Sequence, residues 1–203
     1  MNYYVIKNTR FLDKRFAYGE ERSPNFGEAE RCPRCGNFTS MSRWLPPYAI
    51  NVSKKELGDF MYGTFVGFVV SERAKRVLEA TGISGFKGFG DVSIYYKEEL
   101  LSAHYYYSEI DLLNVHLDMN FLTLEIRELC EVCQRGNSLL QGIKGVRILD
   151  PDSVNSDVFF TTTLGQATIM VSEKFNAAVA ANRLTNVQLI PAEQYEWHSM
   201  GRR

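Results

Sequence analysis

Three stretches of the chain show the patterning of β-strands. The opening segment, MNYYVIKN, alternates loosely between apolar and polar positions. An apolar run covers residues 65–70, and the segment DVSIYYK places Val92, Ile94 and Tyr96 on one face. Because alternate side chains of a strand point to opposite faces, we predict that each of these stretches is a strand.

Between the second and third of these strands, the period of the apolar residues becomes helical. Ser71 is suited to the N-cap, because its hydroxyl can accept a hydrogen bond from a first-turn N–H group. Ala74, Val77 and Leu78 then fall on one apolar face, and Gly82 is suited to the end of a helix. The segment is therefore predicted to fold as strand, helix and strand.

A similar segment recurs near the C-terminus. Ser172-Glu173-Lys174 lies 101 residues after Ser71-Glu72-Arg73, and apolar positions that follow match at the same displacement. Self-similarity at a fixed offset indicates an internal repeat. We therefore predict a single domain, residues 1–203, built from two similar βαβ-like halves of about 1–100 and 101–203.

The remaining segments complete an α+β fold, with mixed β-sheets and few short helices. Residues 13–30 are polar and interrupted by glycine and proline, which predicts a loop. The aromatic and aliphatic density of residues 97–129 indicates strands, in which Tyr105 and Tyr107 are expected to pack in the core. Residues 137–160 are interpreted as a mixed connection.

Composition and charge narrow the class of protein. With 203 residues, 45% of them hydrophobic, the chain can bury a substantial core. Its 23 Lys and Arg residues are balanced by 24 Asp and Glu, whereas nucleic-acid-binding proteins usually show a basic surplus. No apolar run approaches the roughly 20 residues that span a bilayer, and the first residues lack the pattern of a signal peptide. We expect a cytoplasmic protein with no membrane partner, and the charge balance argues against bulk nucleic-acid binding without excluding a local basic patch.

The four cysteines form two widely separated CxxC pairs, in RCPRCG and LCEVCQRG. Thiols stay reduced in the cytoplasm, so paired cysteines there favour a metal site or catalysis over structural disulfides. A CxxC turn directs two sulfurs towards one ion, and structural zinc takes four ligands in a tetrahedron. We therefore predict that a four-cysteine zinc knuckle pair joins the two halves through one structural Zn²⁺, held by Cys32, Cys35, Cys130 and Cys133.

Other interpretations of the cysteines stay open at this stage. A redox dithiol of a thiol oxidoreductase would need the start of a helix to lower the thiol pKa, and the polar segment before Cys32 does not predict one. Iron–sulfur clusters also take four cysteines, and a zinc-ribbon adaptor could bind nucleic acid. The second motif has Gln134 where the first has Gly36, which is compatible with cysteines that bind no metal.

The sequence lacks the motifs of several enzyme classes. Its three histidines lie outside any HExxH pattern, there is no GxSxG elbow, and the glycine-rich segment GISGFKGFGD lacks the GK[ST] ending of a P-loop. The sequence therefore shows no catalytic constellation of these classes, and we predict no catalytic residues.

Five segments, taken in order, resemble the double-CXXCG-motif immunity proteins of bacterial contact-dependent toxin–immunity systems. They are CPRCG, RWLPPYAI, FVGFVVSERAKRVLEATGISGFKG, CEVC and ATIMVSEKFNAAVAANRLTNVQLIPAE. The resemblance implies a protein made in the cytoplasm that binds a cognate toxin from kin or competing bacteria and blocks its activity. It also implies a polymorphic toxin as the partner, and binding without catalysis.

Overall fold

The computed structural model describes residues 2–7, 15–22, 25–36, 38–40, 42–64, 66–125, 130–132 and 139–198. Within these residues, two α-helices and three short 3-10 helices accompany seventeen strands. The helices are α1 (Glu72–Ala80) and α2 (Glu173–Asn182), with 3-10 turns at Met119–Phe121, Pro151–Ser153 and Ala192–Gln194. The strands are β1 (Tyr3–Lys7), β2 (Tyr18–Glu21), β3 (Phe26–Gly27), β4 (Arg43–Trp44), β5 (Tyr48–Val52), β6 (Phe60–Gly63), β7 (Phe68–Ser71), β8 (Gly90–Tyr96), β9 (Glu99–Leu100), β10 (Tyr105–Ser108), β11 (Asp111–Leu113), β12 (Leu122–Glu125), β13 (Leu139–Lys144), β14 (Val158–Thr161), β15 (Gly165–Ser172), β16 (Gln188–Pro191) and β17 (Glu196–His198).

Six strands close into a barrel in the order β10-β7-β6-β2-β5-β8, because β8 also pairs with β10, and β9 extends the sheet beyond β8. The barrel is mixed, since β2 runs parallel to β6 and β5 runs parallel to β8. Ile50, Val69 and Ile94 are almost fully buried in the cluster that fills it. Closure of the sheet leaves these six strands without an open edge.

The other strands form three smaller sheets. One has five strands in the order β11-β14-β15-β1-β16, one has three in the order β12-β13-β17, and β3 pairs with β4. Val5, Phe159 and Met170 of the five-stranded sheet join a buried cluster with Ile143 of the three-stranded sheet. This cluster packs the two sheets against each other.

A third hydrophobic cluster joins the barrel, the five-stranded sheet and both helices. Phe68 and Val70 of β7 belong to it, whereas the intervening Val69 faces into the barrel cluster. Leu78 of α1 and Phe175 of α2 are fully buried in the same cluster. The apolar run predicted from the sequence is therefore buried on both faces of β7, one face in each cluster.

The predicted strand–helix–strand segment is confirmed. Ser71 caps α1 by accepting a hydrogen bond from the N–H of Ala74 at 3.1 Å. Ala74 and Leu78 are buried, Val77 packs against the same cluster, and Gly82 follows the helix with φ +63°. The N-terminal strand is also confirmed as β1.

Two of the sequence predictions are wrong. Residues 13–30, predicted to be a loop, contain β2 and β3, and β2 is an interior strand of the barrel. Residues 137–160, interpreted as a connection, contain β13 and most of β14. The strands expected within 97–129 are present, and Tyr105 and Tyr107 are buried as predicted. The mixed sheets and few helices of the predicted α+β class are confirmed, whereas the closed barrel was not foreseen.

Across the described part of the chain, the helices are too short and too polar for any of them to cross a membrane.

Candidate metal centre

The first CxxC motif lies at the tip of a β-hairpin. Its base is the pairing of β3 with β4, where Phe26 lies opposite Trp44. Further out, Arg31 forms an antiparallel bridge with Phe38, and the N–H of Thr39 donates to the carbonyl of Glu30 at 2.8 Å. The hairpin therefore holds Cys32 and Cys35 in the turn that reverses the chain.

Backbone and side-chain bonds fix the shape of this turn. The N–H of Gly36 donates to the carbonyl of Cys32 at 2.9 Å, and Gly36 has φ +74°, which glycine adopts without the strain of a Cβ. The guanidinium of Arg31 donates to the carbonyl of Gly36 at 3.1 Å and lies 3.8 Å from the centre of the Phe38 ring. These contacts hold the two strands of the hairpin together next to the cysteines.

Cys130, the first cysteine of the second CxxC motif, lies between two paired strands. β12 and β13 pair antiparallel, the pair nearest the turn being Glu125 opposite Leu139. Cys130 lies in the connection between these two strands. Cys133, the fourth predicted ligand, lies outside the described residues.

Buried side chains anchor the bases of both hairpins. Trp44 of β4 is fully buried, with its ring centre 5.0 Å from those of Tyr48 and Tyr107. Ile143 of β13 is 1% exposed and packs in the cluster beneath the five-stranded sheet. The hydrophobic core therefore fixes the orientation of each hairpin at its base.

The two hairpins bring three sulfurs together. The Sγ atoms of Cys32 and Cys130 lie 3.9 Å apart, and those of Cys32, Cys35 and Cys130 all lie within 4.8 Å of one another. Two thiolates on a tetrahedral zinc ion, each bonded at about 2.3 Å, stand about 3.8 Å apart. The separation of Cys32 and Cys130 therefore fits a shared metal ion.

The surroundings of the sulfurs differ. Cys32 is buried, Cys130 is half-buried and Cys35 is exposed. Beside them an ion pair spans the two hairpins, with the guanidinium of Arg34 2.9 Å from the carboxylate of Glu131. Both of these side chains are mostly exposed, so the pair contributes at most about 1 kcal/mol to stability.

The three sulfur atoms help to decide between metal binding and redox dithiol chemistry, which the sequence left open. Three converging thiolates suit a soft or borderline ion such as Zn²⁺. The Cys32–Cys35 turn lies in a β-hairpin and not at the start of a helix, so the helix dipole that lowers the pKa of many redox cysteines does not act here. The geometry therefore favours metal binding over dithiol chemistry.

The sequence alone identified the cysteines, and the structure brings three of them together. It did not identify the pairing of Arg34 with Glu131. These residues occupy the second position after Cys32 and the first after Cys130, so nothing in their spacing marked them as partners.

A comparison with models of protein families found a match. The model of a family described as an immunity protein family, Imm11, matches residues 4–194 of the chain. A search of curated proteins returned no match.

Proposed function

The chain belongs to the Imm11 immunity protein family, and from this premise we propose that it binds and neutralises a cognate bacterial toxin. The single observation that carries the proposal is the family match, which extends over both cysteine-bearing hairpins. The resemblance to immunity proteins seen in the sequence is thereby confirmed at the level of family. The narrower resemblance to double-CXXCG-motif proteins stays a prediction.

The proposed protein acts by binding, without catalysis, in the cytoplasm of the cell that makes the toxin. Its partner is a polymorphic toxin used in bacterial competition. Complementary charge and shape give such complexes their specificity and their rate of association. The mixed surface charge of this chain, with a net formal charge of −1, is compatible with a protein partner and gives no general attraction to polyanions.

The proposed cofactor is one structural Zn²⁺ per chain, held by Cys32, Cys35, Cys130 and Cys133. The support is the convergence of the first three sulfurs and the recurrence of the CxxC spacing in the second hairpin. Four thiolates would fill the tetrahedral shell and leave no position for a substrate. When bound, the ion would supply a cross-link between two hairpins that are far apart in sequence.

Growth protection tests the neutralising function. Where a toxin gene lies beside the gene for this chain, that toxin is expressed under an inducible promoter, with or without this chain. We expect growth arrest without the chain and normal growth with it, and we expect the two proteins to purify together. Equal growth arrest in both cultures would contradict the proposal.

A control variant tests whether protection requires the folded protein or only its expression. Val70 is fully buried in the cluster beneath both helices, so Val70→Asp places an unpaired charge in the core and prevents folding. Cells that express this variant should arrest with the toxin, as cells without the chain do.

Elemental analysis of the purified protein tests the metal. We expect about one zinc per chain after purification without added metal. A zinc content near zero, in protein that still protects cells from the toxin, would remove the metal and leave the immunity function standing.

A further inference from the structure

A buried carboxylate ties the two helical segments of the fold together. Asp59 precedes β6, and it accepts a hydrogen bond from the hydroxyl of Ser71, the cap of α1, at 2.8 Å. It also accepts from both the N–H and the hydroxyl of Thr185, each at 2.8 Å, and Thr185 follows α2. Asp59 therefore binds the beginning of one helix and the segment that follows the other.

Asp157 makes the reciprocal set of bonds. It accepts from the hydroxyl of Ser172, the cap of α2, at 2.6 Å. It also accepts from the N–H and the hydroxyl of Ser84, each at 3.0 Å, and Ser84 follows α1. Each carboxylate also pairs with a cation two residues after the cap. Arg73 lies 2.7 Å from Asp59, and Lys174 lies 3.5 Å from Asp157.

The backbone conformation repeats at the same displacement. Gly82 and Arg183, which are 101 residues apart, have φ +63° and +50°. Gly85 and Asn186, also 101 residues apart, have φ +102° and +56°. Positive φ is uncommon outside glycine, so its recurrence at two matched positions after each helix marks equivalent turns.

The strand order around each helix is also the same. β10 lies between β7 and β8 and is antiparallel to both, with Tyr105 opposite Ser71. β1 lies between β15 and β16 and is antiparallel to both, with Tyr3 opposite Ser172. In both places the strands before and after the helix are separated by one inserted strand.

The inserted strands come from different places in the chain. β10 follows β9 after residues 101–104, so the first unit supplies its own strand. The second unit ends with β17, and its inserted strand, β1, comes from the opposite end of the chain. We infer that the protein is a tandem duplication closed by its N-terminal strand, with β1 in the second unit taking the place that β10 takes in the first.

The inference predicts that β1 can be supplied from either end of the chain. β17 is not the counterpart of β9, because β9 pairs with β8 whereas β17 pairs with β13. A connection from His198 into β1 therefore has no counterpart in the first unit, and the permuted chain has to supply its length. The strand could then be supplied from the C-terminal side without any change in its neighbours.

A rearranged full-length chain tests this. In the permuted chain, residues 8–203 come first, after an initiating Met, and residues 1–7 are attached behind Arg203, so that residues 199–203 form most of the connection. A second version carries about twelve extra Gly and Ser residues at the junction, which relieves any shortage of length. We expect at least one version to melt in a single cooperative transition, within about 5 °C of the natural chain.

The matched control is the chain of residues 8–203 without the moved strand. It loses the central partner of β15 and β16, so we expect no cooperative transition. The inference is overturned if neither permuted version melts cooperatively, and equally if the control melts as the natural chain does. Circular dichroism at rising temperature measures all four proteins.

Discussion

At the scale of single residues, the contact between Cys32 and Cys130 depends both on residue types that the sequence shows and on a distance that only the fold sets. Their sulfurs are 3.9 Å apart although 98 residues separate them along the chain. The residue types and the repeated CxxC spacing were visible in the sequence, because thiol pairs carry a chemical signature. Their distance was not visible, because it depends on two hairpins whose bases are positioned by Trp44 and Ile143 in separate cores.

Substitution of one cysteine should weaken the proposed metal site. A serine at position 130 offers a hydroxyl that is a harder and far weaker ligand than a thiolate. We expect Cys130→Ser to lower zinc affinity by at least about tenfold, because changes in the outer shell alone already cost roughly 10–100-fold. Competition with a chromogenic chelator measures this affinity.

Arg34→Ala is the control for that experiment. Arg34 lies within the CPRC turn, but its side chain points to an exposed ion pair with Glu131. The variant should therefore keep the zinc affinity of the natural chain. Equal affinity in Cys130→Ser and the natural chain would rule out Cys130 as a ligand.

Asp157 gives a prediction about pH. Burial alone would raise the pKa of Asp157, but hydrogen bonds from Ser172 and Ser84 and the nearby Lys174 outweigh burial and lower it below its ordinary value. The unfolded chain therefore binds more protons than the folded chain in the acidic range. The stability that this carboxylate contributes is present above the ordinary Asp pKa of about 3.9 and is lost as pH falls through the lower folded-state pKa.

We expect Asp157→Asn to destabilise the protein by about 2 kcal/mol at pH 6, because it weakens hydrogen bonds to a charged acceptor. Below about pH 4, the difference between the variant and the natural chain should shrink. Urea unfolding across this pH range measures both effects, with Asp91→Asn on the exposed face of β8 as a control. A difference that stays constant down to pH 2 would contradict the assignment.

At the scale of secondary structure, the reliable predictions were those with a local cause. Ser71 and the apolar spacing after it identify α1 from the local sequence, although its buried face is stabilised by packing against the rest of the fold. β2 was missed because its sequence, YGEE, has no apolar alternation and only Gly19 is buried. β2 forms because it pairs with β5 on one side and with β6 on the other. The local sequence does not show which distant strands will pair with it.

The two helix caps should respond alike to substitution. Ser71 and Ser172 each accept a hydrogen bond from a first-turn N–H and donate one to an aspartate carboxylate, which is buried in Asp59 and half-buried in Asp157. We expect Ser71→Ala and Ser172→Ala each to lower the free energy of unfolding by about 2 kcal/mol, through the lost cap and the weakened carboxylate bond. Chemical denaturation measures the change.

Ser93→Ala provides the comparison for both variants, since Ser93 is exposed on β8 and the change should cost less than about 0.5 kcal/mol. If either cap variant is as stable as Ser93→Ala, that serine does not stabilise its helix.

At the scale of the whole molecule, the proposed metal and the hydrophobic core stabilise different regions. Among the described residues, the three hydrophobic clusters contain no cysteine, and they lie within the barrel, the sheets and the helices. The tips of the two hairpins extend beyond these clusters. Segments with few buried contacts open at a lower free energy than the core, so the ion would act mainly on the tips.

Trypsin can distinguish local from global stabilisation by the metal. Arg31 and Arg34 lie at the tip of the first hairpin, whereas Arg73 and Arg76 lie on α1, which packs on the core. We expect a chelator to speed cleavage after Arg31 and Arg34 by about tenfold or more, because the released tip opens locally, while cleavage within α1 stays slow. Mass spectrometry of timed digests identifies the sites, and Cys32→Ser should reproduce the pattern without chelator. Equal acceleration at both regions would mean that the metal holds the entire fold, and unchanged cleavage at Arg31 and Arg34 would mean that the hairpin tip needs no metal to stay closed.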